Sequence, residues 1–256
     1  MFDRKFYKKS AKSQLRGRLG TAALATLVSF VIVAILTAKP ATEKINESAR
    51  AVPASYAVTE SDTAQTVMMP SYSAPGFNPD FSSASVPFII LLFYLSVTGI
   101  LSFALCHLFN VYYSNPSRIP FSEFIRGFSH PFRAAFACIW LFLWLCFWFC
   151  LFIIPGLVKS FAYSQTFFIL AENPKIGVLK AVRMSKIMTK GYKADLFVMS
   201  LSFIGWNILA AFTFGILQLW VTPYTMLSFT NAYKDLKAMA IRSGVLTQED
   251  FNLEEK

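Results

Sequence analysis

Few side chains in this sequence are placed to do chemistry. Lys159 and Tyr163 stand at i and i+4 in KSFAYSQ, one helical face, with Gln165 two residues on and Gln218 farther along the chain. An ammonium beside a phenol and amides is chemistry for holding an anion, either a lipid headgroup or a small anionic solute. The competing reading is that Lys159 only snorkels, lying three residues past a turn and reaching the outer interface. His107 sits near the inner end of an apolar run, where a lone histidine serves as an interfacial hydrogen-bonding residue. His130 is too isolated to complete a metal pair with it. Cys106, Cys138, Cys146 and Cys150 all lie inside apolar runs with no CxxC pair, so they read as small buried hydrophobes rather than metal ligands or disulfide partners. None of the fourteen acidic residues falls in the interior of an apolar run, and no HExxH, GxSxG, P-loop or GxGxxG pattern occurs. The expectation is a protein that is not an enzyme and takes no cofactor.

The elements that must position these residues are apolar. Phe136 to Leu170 reads FACIWLFLWLCFWFCLFIIPGLVKSFAYSQTFFIL, with no charge between Arg133 and Lys159. A run of more than about 18 apolar residues reads as a membrane span, and Pro155-Gly156 reads as the tight turn that returns the chain. Trp140, Trp144 and Trp148 recur on one helical face, a pattern of packing or lipid contact. The composition agrees: 55% hydrophobic with 27 phenylalanines, against about 45–50% apolar in a soluble domain. Six spans are expected, over 20–38, 86–109, 134–154, 156–172, 195–212 and 216–232, in one all-α polytopic membrane domain covering 1–256. Pro223 should interrupt the last of them. A secretory signal peptide competes for the first apolar run, but its length and the poor cleavage site Leu36-Thr37-Ala38 argue against cleavage.

Between the spans lie basic segments. In 1–19, Lys5, Lys9, Lys12 and Arg16 form one helical stripe, suited to a solvated juxtamembrane segment or to a helix on an anionic leaflet. In 173–194, Lys175, Lys180, Arg183, Lys186 and Lys190 fall within roughly a 140° arc at 100° per residue. Val178, Ala181, Val182, Met184 and Met188 take the other side, making a basic amphipathic helix. Asn173-Pro174 is its start signal, and Ser122 to Phe128 suggests a shorter interfacial helix. The stretch 39–85 is polar, carries five acidic and three basic residues, and reads as a long outer loop with a short helix near 40–50. The tail 233–256 is polar.

Lys and Arg collect on cytoplasmic loops. With both termini inside, 20 of the 24 Lys and Arg fall on inner segments: seven before the first span, three in 110–133, six in 173–194 and four in the tail. The net charge of +10 is thus an orientation and lipid-surface signal. It calls for anionic inner-leaflet lipids as partners and for no nucleic acid. A weak repeat accompanies the pattern. Ser13 to Gly17, Ser122 to Gly127 and Ser185 to Gly191 each precede an apolar hairpin, suggesting three units of one basic interfacial helix plus two spans.

A family resemblance rests on linked motifs. Ile154-Pro155-Gly156 is followed by Lys159, Tyr163 and Ser164, then Leu170-Ala171-Glu172-Asn173-Pro174 and Ser185. Leu201-Ser202-Phe203-Ile204-Gly205-Trp206 and Pro223-Tyr224 complete the set. In this order they resemble the bacterial integral-membrane domain-of-unknown-function 975 family over nearly all of the chain except 39–85. That family is similar to the membrane domain beside glycerophosphodiester phosphodiesterase catalytic domains. The resemblance implies a multi-pass protein of the bacterial cytoplasmic membrane and supplies no catalytic residues. The clustered carboxylates and histidines that phosphodiesterase chemistry requires do not occur here. The expected role is a non-enzymatic scaffold, adaptor or envelope and lipid-surface factor with a possible membrane-protein partner. The alternative is a permease or a transporter of lipid or small solutes.

Overall fold

The computed structural model describes residues 2–50, 81–173, 175–213 and 215–252, with side chains described outside 37–50, 81–87 and 252. The chain is helical, with no strand among the described residues. In order, the helices are α1 (Arg4–Leu15), α2 (Leu19–Arg50), α3 (Phe81–Ser114), α4 (Ser122–Arg126), α5 (Pro131–Leu151), α6 (Ile153–Tyr163), α7 (Thr166–Glu172), α8 (Val178–Met188), α9 (Lys193–Phe212), α10 (Gln218–Arg242) and α11 (Gln248–Asn252).

Among the described residues, five stretches are long and apolar enough to cross a bilayer: Leu19–Leu36, Phe88–Ser114, Pro131–Leu151, Ile153–Glu172 and Lys193–Phe212. Their outward side chains are apolar, among them Phe30, Ile89, Phe93, Leu143, Phe147, Ile204 and Ile208. Water would penalise such a surface, whereas lipid tails match it. The protein is an all-α polytopic membrane protein.

The sixth expected span, 216–232, falls in α10 from Gln218 on, and that helix is more polar and more enclosed. Val221, Pro223, Leu227, Ser228, Thr230, Asn231 and Ala232 are buried there, and α10 packs against α1, α2, α3, α8 and α9. A helix surrounded by protein does not need the uninterrupted apolar run that a lipid-facing helix does. It also continues two to three turns past the expected exit, to Arg242.

Other boundaries differ for local reasons. The hairpin turn falls at Phe152, whose backbone is extended (φ −159°, ψ 139°), and Pro155 and Gly156 lie in the first turn of α6. Proline suits that position because the first helical N–H groups have no intrahelical partner anyway. Gly156 is needed for proximity: a Cβ there would lie 2.7 Å from the Phe149 ring. The fourth span is broken at Ser164-Gln165 into α6 and α7. Asn173 caps the end of α7, and its carboxamide accepts the Lys175 N–H at 2.9 Å, so α8 starts only at Val178. The first span and the short helix expected near 40–50 are one continuous helix, α2. Residues 51–80 of the expected outer loop lie outside the described residues. Cys106 is buried as expected, but Cys150 is exposed on the outer face of α5.

The helices follow one order three times: a short helix, then two long segments. These are α1–α2–α3, then α4–α5–α6/α7, then α8–α9–α10. Contacts follow the same order around a closed ring. The second long segment of each unit packs on the first long helix of the next unit (α3 on α5, α6 on α9, α10 on α2). It also packs on the next unit's short helix (α3 on α4, α7 on α8, α10 on α1). The core between them holds Phe103, Phe168, Ile169, Met199, Phe203 and Tyr233.

Candidate functional site

The short basic helices are not peripheral; each is built into the ring by one apolar face. In α1, Asp3 caps the N-terminus by accepting from the N–H groups of Lys5 and Phe6 at 2.9 and 3.1 Å. Tyr7, Ala11 and Leu15 are buried against α10 and its neighbours, while Lys5, Lys9, Lys12 and Arg16 are all exposed. The Tyr7 hydroxyl donates to Asp235, and Ser10 donates to Asn231 Oδ1 at 3.0 Å. Burial and the Asp235 carboxylate together push the Tyr7 pKa up. Lys8 turns inward, its Nζ 4.3 Å from the centroid of the Phe203 ring, and its pKa is lowered by burial and by Arg4.

In α8, Val178, Ala181, Val182, Met184, Ser185 and Met188 are buried, while Lys175 just before the helix and Arg183, Lys186 and Lys190 on it and after it are exposed. Lys180 is half-buried and pairs with Asp250 of α11 at 3.3 Å. It is the one of the nine stripe residues that forms an ion pair among the described residues. The Lys186 pKa is held down by burial first, then by Lys159, Arg183 and Lys193.

Lys159 lies in the same region. Its Nζ lies 4.4 Å from the centroid of the Trp148 ring, near enough to Lys186 for its charge to act there. Tyr163 is close by, with Lys186 Nζ 5.3 Å from its ring centroid. Its buried hydroxyl has no well-formed hydrogen bond, although the Trp144 and Trp148 indoles lie near it. Gln165 is fully buried at the break between α6 and α7. Its backbone N–H donates to Ser185 Oγ at 3.3 Å, and Ser185 Oγ donates to the Ala162 carbonyl at 2.8 Å. Ser185 thus stitches the broken helix to α8. Gln218 does not join this group: at the start of α10, its amide donates to Asn207 of α9 at 3.3 Å.

A polar knot that the sequence did not announce ties α7 to α10. Glu172 accepts from Lys237 at 2.8 Å and pairs with Lys234 at 3.1 Å, and the Tyr233 hydroxyl donates to its other oxygen. Phe168 stacks on Tyr233 with centroids 5.6 Å apart. His107 bridges toward this seam, 3.8 Å from Glu123 on one side and 3.5 Å from the Ala171 carbonyl on the other. Glu172 stands on α7 and Tyr233, Lys234 and Lys237 on α10, 61 to 65 residues apart, so spacing along the sequence carries no signal of the knot. Among the described residues no three His, Cys, Asp or Glu gather as a metal site.

A groove of about 840 Å³ lies where α1 meets α2, open between them and α9. Lys9, Lys12 and Arg16 form its rim, and Trp206, Leu217, Trp220, Val221 and Tyr224 form much of its apolar wall and floor. Gly17, at φ +76°, takes the left-handed turn that lets α1 double back from α2 onto α10 and hold those cations over the groove.

The family model described as Protein of unknown function (DUF975) matches residues 1–240. The chain belongs to the DUF975 family. The match encloses the 39–85 stretch and all three helical units almost to the end of α10, and it stops before α11. The motifs that carry the DUF975 resemblance have structural work here: Pro155-Gly156 opens α6, Glu172 holds α10, and Ser185 closes the α6–α7 break. No curated protein and no solved structure matches the chain.

Proposed function

We propose that this DUF975 protein is a non-enzymatic factor of the bacterial inner membrane, an adaptor that works at the anionic cytoplasmic leaflet with both termini inside. The observation that carries the reading is the pair of built-in basic helices. α1 and α8 anchor one face in the ring and present eight cations that form no ion pair among the described residues. Each Lys or Arg near an anionic surface is worth about 1 kcal/mol, so the two faces together hold such a surface firmly. The core supports an adaptor over a permease, because Phe103, Phe168, Phe203 and Tyr233 fill the space a polar path would need.

The test is lipid mass spectrometry on protein purified in mild detergent. Arg183→Gln, Lys186→Gln and Lys190→Gln together should lower the co-purified anionic share severalfold while leaving zwitterionic lipid unchanged. Unchanged lipid profiles, or solute flux in proteoliposomes, would count against the reading. Lys159→Met separates a headgroup contact from a structural lysine: a drop in anionic lipid supports contact, and an unchanged profile assigns Lys159 to its packing on Trp148.

A further inference from the structure

We propose that the groove between the α1–α2 junction and α9 binds one anionic phospholipid. Its phosphate lies against Lys9, Lys12 and Arg16, and its acyl chains lie along Trp206, Trp220 and Tyr224. The inference rests on the lipid-surface reading above and assigns it a specific site.

Polarity in the groove is segregated as in a phospholipid. Lys9 and Lys12 come from one face of α1 and Arg16 from the residue that ends it, and all three line the groove. No carboxylate lines it, and none of the three cations has an ion-pair partner among the described residues. Like charges held side by side on a rigid helix gain from a shared anion, and a phosphate offers several acceptor oxygens to such a cluster. The remaining wall is apolar and aromatic. Trp206 and Trp220 are 50% and 49% exposed although both stand on helices of the bundle. In a membrane protein, apolar surface left open sideways between helices faces acyl chains. Indole rings are the side chains favoured where acyl chain meets headgroup.

Charge complementarity sets the occupant. A zwitterionic lipid brings its own cation to a rim that already holds three, whereas a net anionic headgroup neutralises it. The volume of about 840 Å³ lies in the range of ordinary ligand sites, about 300–1,000 Å³. It suits a headgroup with the upper part of its chains, with the lower chains continuing into the bilayer. The sequence builds this site through two features: the α1 stripe, and Gly17, whose left-handed turn lays that stripe across α10.

The experiment uses the full chain in nanodiscs. Replacing Trp140, Trp144 and Trp148 with Phe leaves Trp206 and Trp220 as the reporters. Brominated phosphatidylglycerol in a phosphatidylcholine background should quench them more strongly than brominated phosphatidylcholine in a phosphatidylglycerol background at equal mole fraction. The preference should weaken by about fivefold for each charge removed in Lys9→Gln, Lys12→Gln and Arg16→Gln, and Ser13→Phe should abolish it by crowding the rim. Equal quenching by the two lipids would overturn the proposal. If the tryptophan replacements disturb folding, a photoactivatable phosphatidylglycerol on the unaltered chain replaces them. Its cross-links should map to α1, α9 and α10 and be lost in the Gln variants; cross-links elsewhere alone would overturn the proposal. Co-purified lipid read on the same samples separates the two claims. If anionic lipid is retained and responds to the α8 variants but not to the groove variants, the groove fails and the surface reading stands. If no anionic lipid is retained by any form, both fail.

Discussion

Glu172 draws together two lysines that are themselves largely buried. The two lysines and a tyrosine converge on it, with the lysine side chains only 14 and 16% exposed. Removing one member of a buried ion pair costs about 3–5 kcal/mol because the partner stays desolvated. The partial exposure of Glu172, 27%, and its replacement by a neutral acceptor reduce that. Glu172→Gln should lower stability by about 2 kcal/mol, read by detergent unfolding, while Tyr233→Phe costs about 1 kcal/mol. If Glu172→Gln unfolds like the parent, the knot contributes no stability. Asp250 offers a pH test at the same scale. The Thr247 N–H first, then Lys180, hold its carboxyl below the usual range. A depressed folded pKa means that stability is present above the unfolded value of about 3.9 and is lost as pH falls through the folded value. Protection factors in α11 should therefore drop below about pH 4 in the parent, and Thr247→Ala, which keeps the N–H but removes the hydroxyl that donates to the same carboxylate oxygen at 3.1 Å, should move that drop upward. An unchanged protection profile would contradict the cap. Sequence reading found Lys159 and Tyr163 as neighbours but grouped Gln218 with them and missed the knot. The reason is physical: i, i+4 spacing predicts proximity within one helix, whereas Glu172, Tyr233 and Lys237 meet through the packing of separate helices.

At the scale of elements, small residues decide how closely the helices approach. A Cβ on Gly99 would lie 2.5 Å from Cys138 Cβ and 2.7 Å from the Ala134 carbonyl oxygen, so α3 and α5 touch nearly backbone to backbone. A Cβ on Gly127 would likewise meet the Ala104 Cα at 2.5 Å, seating the turn after α4 on α3. Lipid supplies no hydrophobic force to drive helices together, so such close contact is what remains to hold them. Gly99→Val should cost about 1–3 kcal/mol by overpacking and should raise the SDS sensitivity of the protein. Gly205, with open space around it, should accept Ala with little change, and equal effects at both sites would refute the packing account. Arginines close the helix ends. Arg18 donates to the Asn115 and Ser117 carbonyls at 2.6 and 2.8 Å, and Arg133 donates to the Lys175 and Ile176 carbonyls at 3.0 and 2.9 Å. Each cation thus meets carbonyls just past the end of the second long segment of its own unit. The spans themselves were legible in the sequence because a lipid-facing helix must be apolar all round. The turn at Phe152 was not: Pro155-Gly156 marks a helix start as readily as a turn, and only the extended Phe152 backbone distinguishes the two.

Across the whole molecule, the segments expected on the cytoplasmic side gather at one end. Phe2 stacks with Tyr192 at 6.0 Å, Tyr7 bonds Asp235, and Arg18 holds 115–117. Arg133 holds 175–176, and Asn173 donates to the Phe251 carbonyl at 2.7 Å. The N-terminus, the 110–133 connector, the 173–194 segment and the tail therefore form one connected layer. Positive charge alone suggested that they share a side, but charge gives a bias and not a contact. The contacts arise because the ring closes: α1 packs on α10 as α4 packs on α3 and α8 on α7, so each basic helix is carried to the same end by the segment before it. The orientation proposed above puts this layer on the side to which Lys and Arg are retained, the cytoplasm. A single cysteine in a Cys-free background tests this in oriented cells with a membrane-impermeant maleimide. Thr63→Cys, in the acidic stretch expected on the outer side, should label from outside. Cysteines at Lys190 and Ser243 should label only after the membrane is opened. Labelling of Lys190→Cys and Ser243→Cys from outside would invert the orientation yet keep the layer intact. Opposite labelling of those two positions would break the layer itself, because two groups bonded into one end of a closed ring cannot lie on different sides of a bilayer.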